Sequence, residues 1–133
     1  SKVIDENLNI LVIDDSPIIL RFIEIILKNY NTNVITVYTA IDGIEKFKSK
    51  KIDIIFIDEF LLDSLGHKAI KTIRQIEITH HLHSIPIFAI TSDTNKDTKN
   101  ILLESGANIV MYKPLESQYI IETIRNFRVL KEK

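Results

Sequence analysis

The chain has no cysteine, which excludes disulfides and thiolate metal sites and is compatible with a reducing cytoplasm, where we place it. Three glycines and three prolines are all that punctuate its 133 residues, so no linker, internal repeat or low-complexity stretch divides it. No uninterrupted apolar run approaches the ~20 residues of a membrane span, and Ser1 to Asn9 does not read as a signal peptide. Neither sign of charge prevails. The net charge is −1, so nothing predicts general attraction to nucleic acid or to an anionic membrane. No glycine-rich loop follows any apolar run, which argues against a nucleotide-binding fold. No output domain is visible either, so a switch carried here would show its effect elsewhere.

What is present is the composition of an ordinary globular protein, 45% hydrophobic and 26% charged. The length predicts one domain over 1–133, with a core from about 8 to 130, burying roughly two-thirds of its unfolded surface. Strand-like runs of four to six residues alternate with helical patterns of ten or more, the mark of βαβ units. The spacing predicts strands near 9–14, 34–38, 53–58, 86–91 and 108–112. Their near-continuous Ile, Val and Phe suit parallel strands covered on both faces. Helices are predicted from Pro17 to about Tyr30, Ile41 to Lys50, Gly66 to about Ile78, Lys96 to Ser105 before Gly106, and Glu116 to about Leu130. In the last of these Ile120, Ile121, Ile124 and Phe127 have core-facing spacing. Right-handed crossovers then give an open, doubly wound α/β sheet of flavodoxin-like order 2-1-3-4-5, with its ligand site outside the carboxyl ends of the strands.

Those carboxyl ends carry the chemistry. The first strand ends on Asp14-Asp15, the third on Asp58, the fourth on Thr91, and the last runs into Lys113-Pro114. Asp14 or Asp15 alone could be a helix N-cap, Asp58 a solvated strand end and Lys113 a surface lysine. Three acids from two neighbouring strands would share one pocket, however, and like charges at that range need a cation. Hard oxygen ligands without His or Cys favour Mg²⁺. Lys113 beside Asp58 would pair with a carboxylate or with a transferred phosphoryl oxygen, and Thr91 offers a hydroxyl donor. Pro114 is a candidate for a cis bond.

Ile13-Asp14-Asp15-Ser16, Phe56-Ile57-Asp58, Ile90-Thr91-Ser92 and Met111-Tyr112-Lys113-Pro114, with Gly66 eight beyond Asp58 and Gly106-Ala107 before the last strand, together resemble the receiver domain of two-component response regulators. The resemblance covers roughly Leu8 to Leu130. It implies that Asp58 accepts a phosphoryl group from a phosphohistidine on a histidine kinase or histidine phosphotransfer domain. It further implies that Asp15, Asp58 and the Phe60 carbonyl ligate Mg²⁺ with Asp14 acting largely through water, that Thr91 hydrogen-bonds the phosphoryl group, and that Lys113 ion-pairs with it. The domain would be a phosphoacceptor that assists its own phosphorylation and dephosphorylation, not a turnover enzyme.

Several positions depart from the family pattern. After Asp58 the stretch Glu59-Phe60-Leu61-Leu62-Asp63 lacks the usual proline. Phe60 and Asp93 occupy the two sites that govern water access to the phosphoryl group, and Phe60 either shields an acyl phosphate or packs on the sheet edge. The aromatic switch position falls at Val110, with Tyr112 on the same strand face. The first helix has an apolar arc of roughly 220°, centred on Ile19, Phe22, Ile23, Ile26 and Leu27, flanked by Ile18, Ile25 and Leu20. Either neighbouring helices cover it broadly, or Ile18 and Ile25 dock a phosphodonor bundle. His80, His81 and His83 could bind a metal or lie in an exposed loop. The long stretch before Ile87 resembles receivers attached to hybrid histidine kinases. Two competing functions frame these readings. One is a degenerate receiver acting by contact alone, against which stand all five site residues. The other is a phosphatase of the haloacid dehalogenase type, against which stands Phe60 two beyond Asp58.

Overall fold

The computed structural model describes residues 7–133; residues 1–6, on which the reading of the N-terminus partly rests, lie outside it. The chain alternates β1 (Leu8–Ile13), α1 (Pro17–Leu27), β2 (Thr32–Val37), α2 (Ala40–Ser49), β3 (Ile54–Asp58), α3 (Gly66–Thr79), β4 (Ile87–Thr91), α4 (Lys96–Ser105), β5 (Ile109–Tyr112) and α5 (Ser117–Arg125). The five strands are all parallel, in the order β2-β1-β3-β4-β5. The α/β, doubly wound, flavodoxin-like architecture is therefore as the sequence predicts.

Strand alternation sorts the apolar residues into two cores. Ile10, Val12, Phe56, Phe88, Ile90 and Met111 face α1 and α5, meeting Leu20, Ile23, Ile120 and Ile124. Leu11, Ile13, Ile55, Ile57, Ala89 and Val110 face α2, α3 and α4, meeting Phe47, Ile70, Ile73 and Leu102. Every residue of β3 and β4 is buried. Each buried Ile or Phe contributes about 1.5–3 kcal/mol over an exposed one, which fixes the register, since a one-residue slip would exchange the two faces.

Two helices differ from expectation. α1 ends at Leu27 rather than near Tyr30, and its buried stripe is Leu20, Ile23 and Leu27, with Ile19, Phe22 and Ile26 half-buried. Leu20, a flank of the arc in the sequence reading, belongs to the centre of the stripe, and Glu24 is half-buried. α5 stops at Arg125 because the residues beyond it turn back to the sheet. The Phe127 ring packs at a tilt against Phe88 with centroids 5.2 Å apart, Leu130 is buried, and Asn31 N–H donates to the Lys131 carbonyl at 2.8 Å. Apolar periodicity alone continues through this turn, which is why it extends the predicted helix.

Ends and loops explain the remaining local choices. Ser16 caps α1, with Pro17 in the first turn, and Thr39 caps α2. Gly106 closes α4 at φ 123°, a backbone conformation that a side chain would strain. Arg74 binds the Gly106 carbonyl at 2.9 and 3.0 Å and the buried Glu77 at 2.9 Å, tying α3 to the turn before β5. His80, His81 and His83 are exposed in the α3–β4 connection, and the cluster of potential metal ligands found among the described residues does not include them.

Candidate functional site

The parallel register brings the sequence-predicted residues to one edge. β1 pairs with β3 and β3 with β4, Ile13 opposite Ile57 and Asp58 opposite Ile90, so Asp14 and Asp58 emerge at the same height and Thr91 one residue beyond them. Carboxylate oxygens of Asp14, Asp15 and Asp58 lie within 4.8 Å of one another. β5 adds Lys113, whose backbone N–H donates to the Thr91 carbonyl at 3.0 Å. Its Nζ reaches over β4 to lie 3.4 Å from both Asp14 Oδ2 and Asp58 Oδ2, donating a hydrogen bond to the latter. The Lys113-Pro114 bond that follows is cis.

This is an electrostatically loaded site. Asp14 is fully buried and Asp58 nearly so. Burial pushes the Asp58 carboxyl up to about 6 from an ordinary 3.8, and the negative charge of Asp14 adds to the rise while Lys113 opposes it. Burial likewise raises Asp14, against the pull of the Ser16 N–H and of Lys113. Asp14 Oδ1 accepts from Ser16 N–H at 2.8 Å, whereas its buried Oδ2 has no hydrogen-bond partner. A buried carboxylate oxygen that has only a shared ammonium at 3.4 Å, beside two more carboxylates, fits a hard divalent cation. One ammonium shared by two acids leaves negative charge uncompensated.

Thr91 is buried, and its hydroxyl oxygen accepts from Asp93 N–H at 3.0 Å. Asp93 is turned toward α4, bonded by Thr98 Oγ1 at 2.6 Å and Asn95 N–H at 2.9 Å. Val110 is buried and Tyr112, opposite Thr91 in the register, is half-buried; both lie on the face covered by α2, α3 and α4. Phe60 leaves 48% of its surface in solvent. Ile18 and Ile25 are exposed at 79% and 49%, so neighbouring helices do not cover the whole apolar arc of α1. A cleft of about 800 Å³ lined by Phe47, Ile52, Pro86 and Phe127 contains none of the site residues.

Sequence reasoning missed the side chains that shape the loop after β3. Asp63 accepts from the N–H groups of Ala40 and Ile41 at 2.9 and 3.0 Å, capping α2 from across the edge. Glu59, buried next to Asp58, accepts from His67 N–H at 2.8 Å and pairs with His67 Nδ1 at 2.6 Å. The partners lie 22, 23 and 8 residues apart, so no short motif announces them.

Comparison with known proteins agrees with this geometry. The family profile of the response regulator receiver domain matches residues 10–125. The chain is 30% identical over 124 residues to the autoinducer 2 sensor kinase/phosphatase LuxQ of Vibrio harveyi, covering 93% of the chain and 14% of that protein. It is 32% identical over 116 residues to the response regulator ArlR of Staphylococcus aureus, covering 87% of the chain and 50% of that protein. The chain thus spans half or less of these relatives. Among solved structures, the receiver domain of sensor histidine kinase PA1611 from Pseudomonas aeruginosa, with a magnesium ion coordinated in its active-site cleft, superposes with TM-score 0.80 at 23% identity, covering 91% of this chain and 97% of that one. A CheY-like receiver domain protein from Methanospirillum hungatei superposes with TM-score 0.81 at 20% identity, covering 91% and 93%. Strand order, strand-end constellation and sequence profile converge: the chain belongs to the response regulator receiver domain family of phosphoacceptor switches in two-component signalling.

Proposed function

We propose that Asp58 is the phosphoacceptor of a single receiver domain spanning 1–133, with its core at about 8–130, and that a phosphohistidine on a histidine kinase or histidine phosphotransfer domain is the donor. The observation that carries this reading is the meeting of three carboxylates within 4.8 Å, with Lys113 Nζ 3.4 Å from two of them. Asp14, Asp15, Asp58 and the Phe60 carbonyl would hold Mg²⁺, which when bound neutralises charge on the phosphoryl oxygens. An Asp58 carboxylate oxygen attacks phosphorus in line, the bond from phosphorus to the donor imidazole breaks, and an acyl phosphate results. The Lys113 ammonium follows the charge from the carboxylate to a phosphoryl oxygen. Because the Thr91 oxygen accepts from Asp93 N–H, the hydroxyl proton remains to be donated to the phosphoryl group. Asp58 is itself consumed as acceptor, so the domain is a switch or relay rather than a turnover enzyme. Its setting is cytoplasmic, with no nucleic-acid or membrane contact of its own.

Incubation with Mg²⁺ and acetyl phosphate tests this reading by intact mass. The expected result is a gain of one phosphoryl group that a chelator abolishes. No gain together with no Mg²⁺ affinity would turn the assignment toward a phosphorylation-independent interaction module.

The donor would dock on α1 beside the site, through the exposed Ile18 and Ile25. Ile18→Lys with Ile25→Lys should slow transfer from a phosphorylated histidine phosphotransfer domain on the order of tenfold. Uptake from acetyl phosphate should stay unchanged, since neither residue is part of the acidic cluster. Equal transfer rates in parent and variant would eliminate this docking face.

A further inference from the structure

The loop after Asp58 lacks the proline expected of the family, yet it is tightly tied. The Gly66 N–H donates to the Glu59 carbonyl at 2.6 Å, Phe60 and Leu65 form an antiparallel bridge, and Leu61 N–H donates to the Ser64 carbonyl at 3.2 Å. Residues 59–66 are therefore a small hairpin. One stem carries the candidate metal-binding carbonyl of Phe60, and the other opens α3.

α3 begins without a cap of its own. Leu65 stands at the N-cap position and makes no side-chain hydrogen bond. The missing cap comes from Glu59, whose Oε1 accepts from His67 N–H at 2.8 Å in the first turn of the helix. Glu59 Oε2 lies 2.6 Å from His67 Nδ1, and because a carboxylate only accepts, Nδ1 carries the proton. This short bond holds the ring onto the loop. A helix cap alone needs no such arrangement, since Ser or Asp at position 65 would supply it locally. Glu59 instead places a buried carboxylate at the position that follows Asp58 in the chain. Burying it there is costly without two good donors. Both donors come from His67, on the far side of the loop.

We propose that Glu59 and His67 are positioning residues of the metal site, clamping the Phe60 stem against α3 in place of the absent proline. The proposal rests on the receiver reading above. Partners that orient ligands without touching the metal alter its affinity 10- to 100-fold elsewhere. Glu59→Ala should accordingly weaken Mg²⁺ binding on the order of tenfold. Glu59→Gln keeps an acceptor for the His67 N–H and should stay near the parent. His67→Ala keeps the main-chain bond, loses the ring contact, and should fall between the two.

The experiment is a calorimetric Mg²⁺ titration of the full chain and the three variants. It is paired with amide hydrogen exchange of metal-free protein, in which the His67 amide should exchange faster in Glu59→Ala than in Glu59→Gln. If the parent binds Mg²⁺ and Glu59→Ala and His67→Ala bind it equally well, the clamp is only a helix cap and the receiver reading stands. If Glu59→Ala does not fold, His67→Ala decides the same question. A parent that binds no Mg²⁺ overturns the clamp and the metal site proposed above, and with no phosphoryl gain the phosphoacceptor reading as well.

Discussion

Asp58→Asn will gain no mass from Mg²⁺ and acetyl phosphate, and without metal it will melt at a higher temperature than the parent. The first result follows from the loss of the attacking oxygen. The second follows from linkage. The Asp58 carboxyl is held up to about 6 in the fold against an ordinary 3.8. Between about pH 4 and pH 6 the folded protein keeps a proton that the unfolded chain has released, so metal-free stability falls as pH rises through that window. A displacement of this size corresponds to about 3 kcal/mol. Asparagine carries no charge to bury and removes the repulsion from Asp14, but it leaves Lys113 a weaker partner. The net gain at pH 7 should be about 1–3 kcal/mol, or roughly 4–10 °C for a domain of this size. The gap should close as pH falls below about 4, where the parent carboxyl becomes protonated in the unfolded chain as well as in the fold. It should also narrow when Mg²⁺ is added, because ligand that binds only the folded parent stabilises it. Thermal melts in chelator across pH 4–7 check the sign. A variant equal to or less stable than the parent at pH 7 would show that Asp58 is not destabilised by its surroundings.

The sequence shows this site because its chemistry sits at the ends of strands. Four of the five apolar runs end on, or run into, a residue their apolar neighbours cannot explain, and parallel pairing aligns those ends. Asp14, Asp15, Asp58, Thr91 and Lys113 therefore need no knowledge of loops to be gathered. Gly66 is visible only through the resemblance to the family, eight residues beyond Asp58. The parts that stayed hidden depend on loop paths. Asp63 reaches α2, Glu59 reaches α3, and Arg74 reaches Gly106 across 32 residues. In each case a polar side chain satisfies backbone groups of a distant element, and nothing local in the sequence encodes where that element lies. Helix limits erred for a related reason. Phe127 fits the helical period of α5, but its ring also fits against Phe88 from the turn that follows; tertiary packing, not periodicity, decided between them. Ile18 and Ile25 show the opposite case, where the excess width of an apolar arc was visible in sequence and the fold leaves it exposed.

Gly66→Ala will destabilise the protein by about 2–4 kcal/mol and weaken Mg²⁺ binding more than any change to the Glu59 clamp. Helix propensity alone predicts the reverse, since Ala is favoured over Gly by about 1 kcal/mol inside a helix. The deciding fact is steric. A Cβ at position 66 would collide with the Asp58 carbonyl oxygen, and would lie 2.9 Å from Glu59 Cα and 3.0 Å from the Asp58 carbonyl carbon. All three are backbone atoms of the strand end and cannot rotate away. By contrast, a Cβ at Gly43 would meet side-chain atoms of Ile13 rather than backbone. Relief at position 66 requires α3 to back away from β3. That movement opens the 2.6 Å bond from Gly66 N–H to the Glu59 carbonyl and draws His67 off the Glu59 carboxylate. The loop bearing the Phe60 carbonyl is then released at both stems, while Asp14, Asp15 and Asp58 keep their places on the strands. Thermal melts and Mg²⁺ titration should therefore fall together in this variant. A Gly66→Ala protein as stable as the parent would mean that the approach of α3 to the acceptor strand tolerates a side chain. The same result with unchanged Mg²⁺ affinity would mean that the loop holds its carbonyl without it.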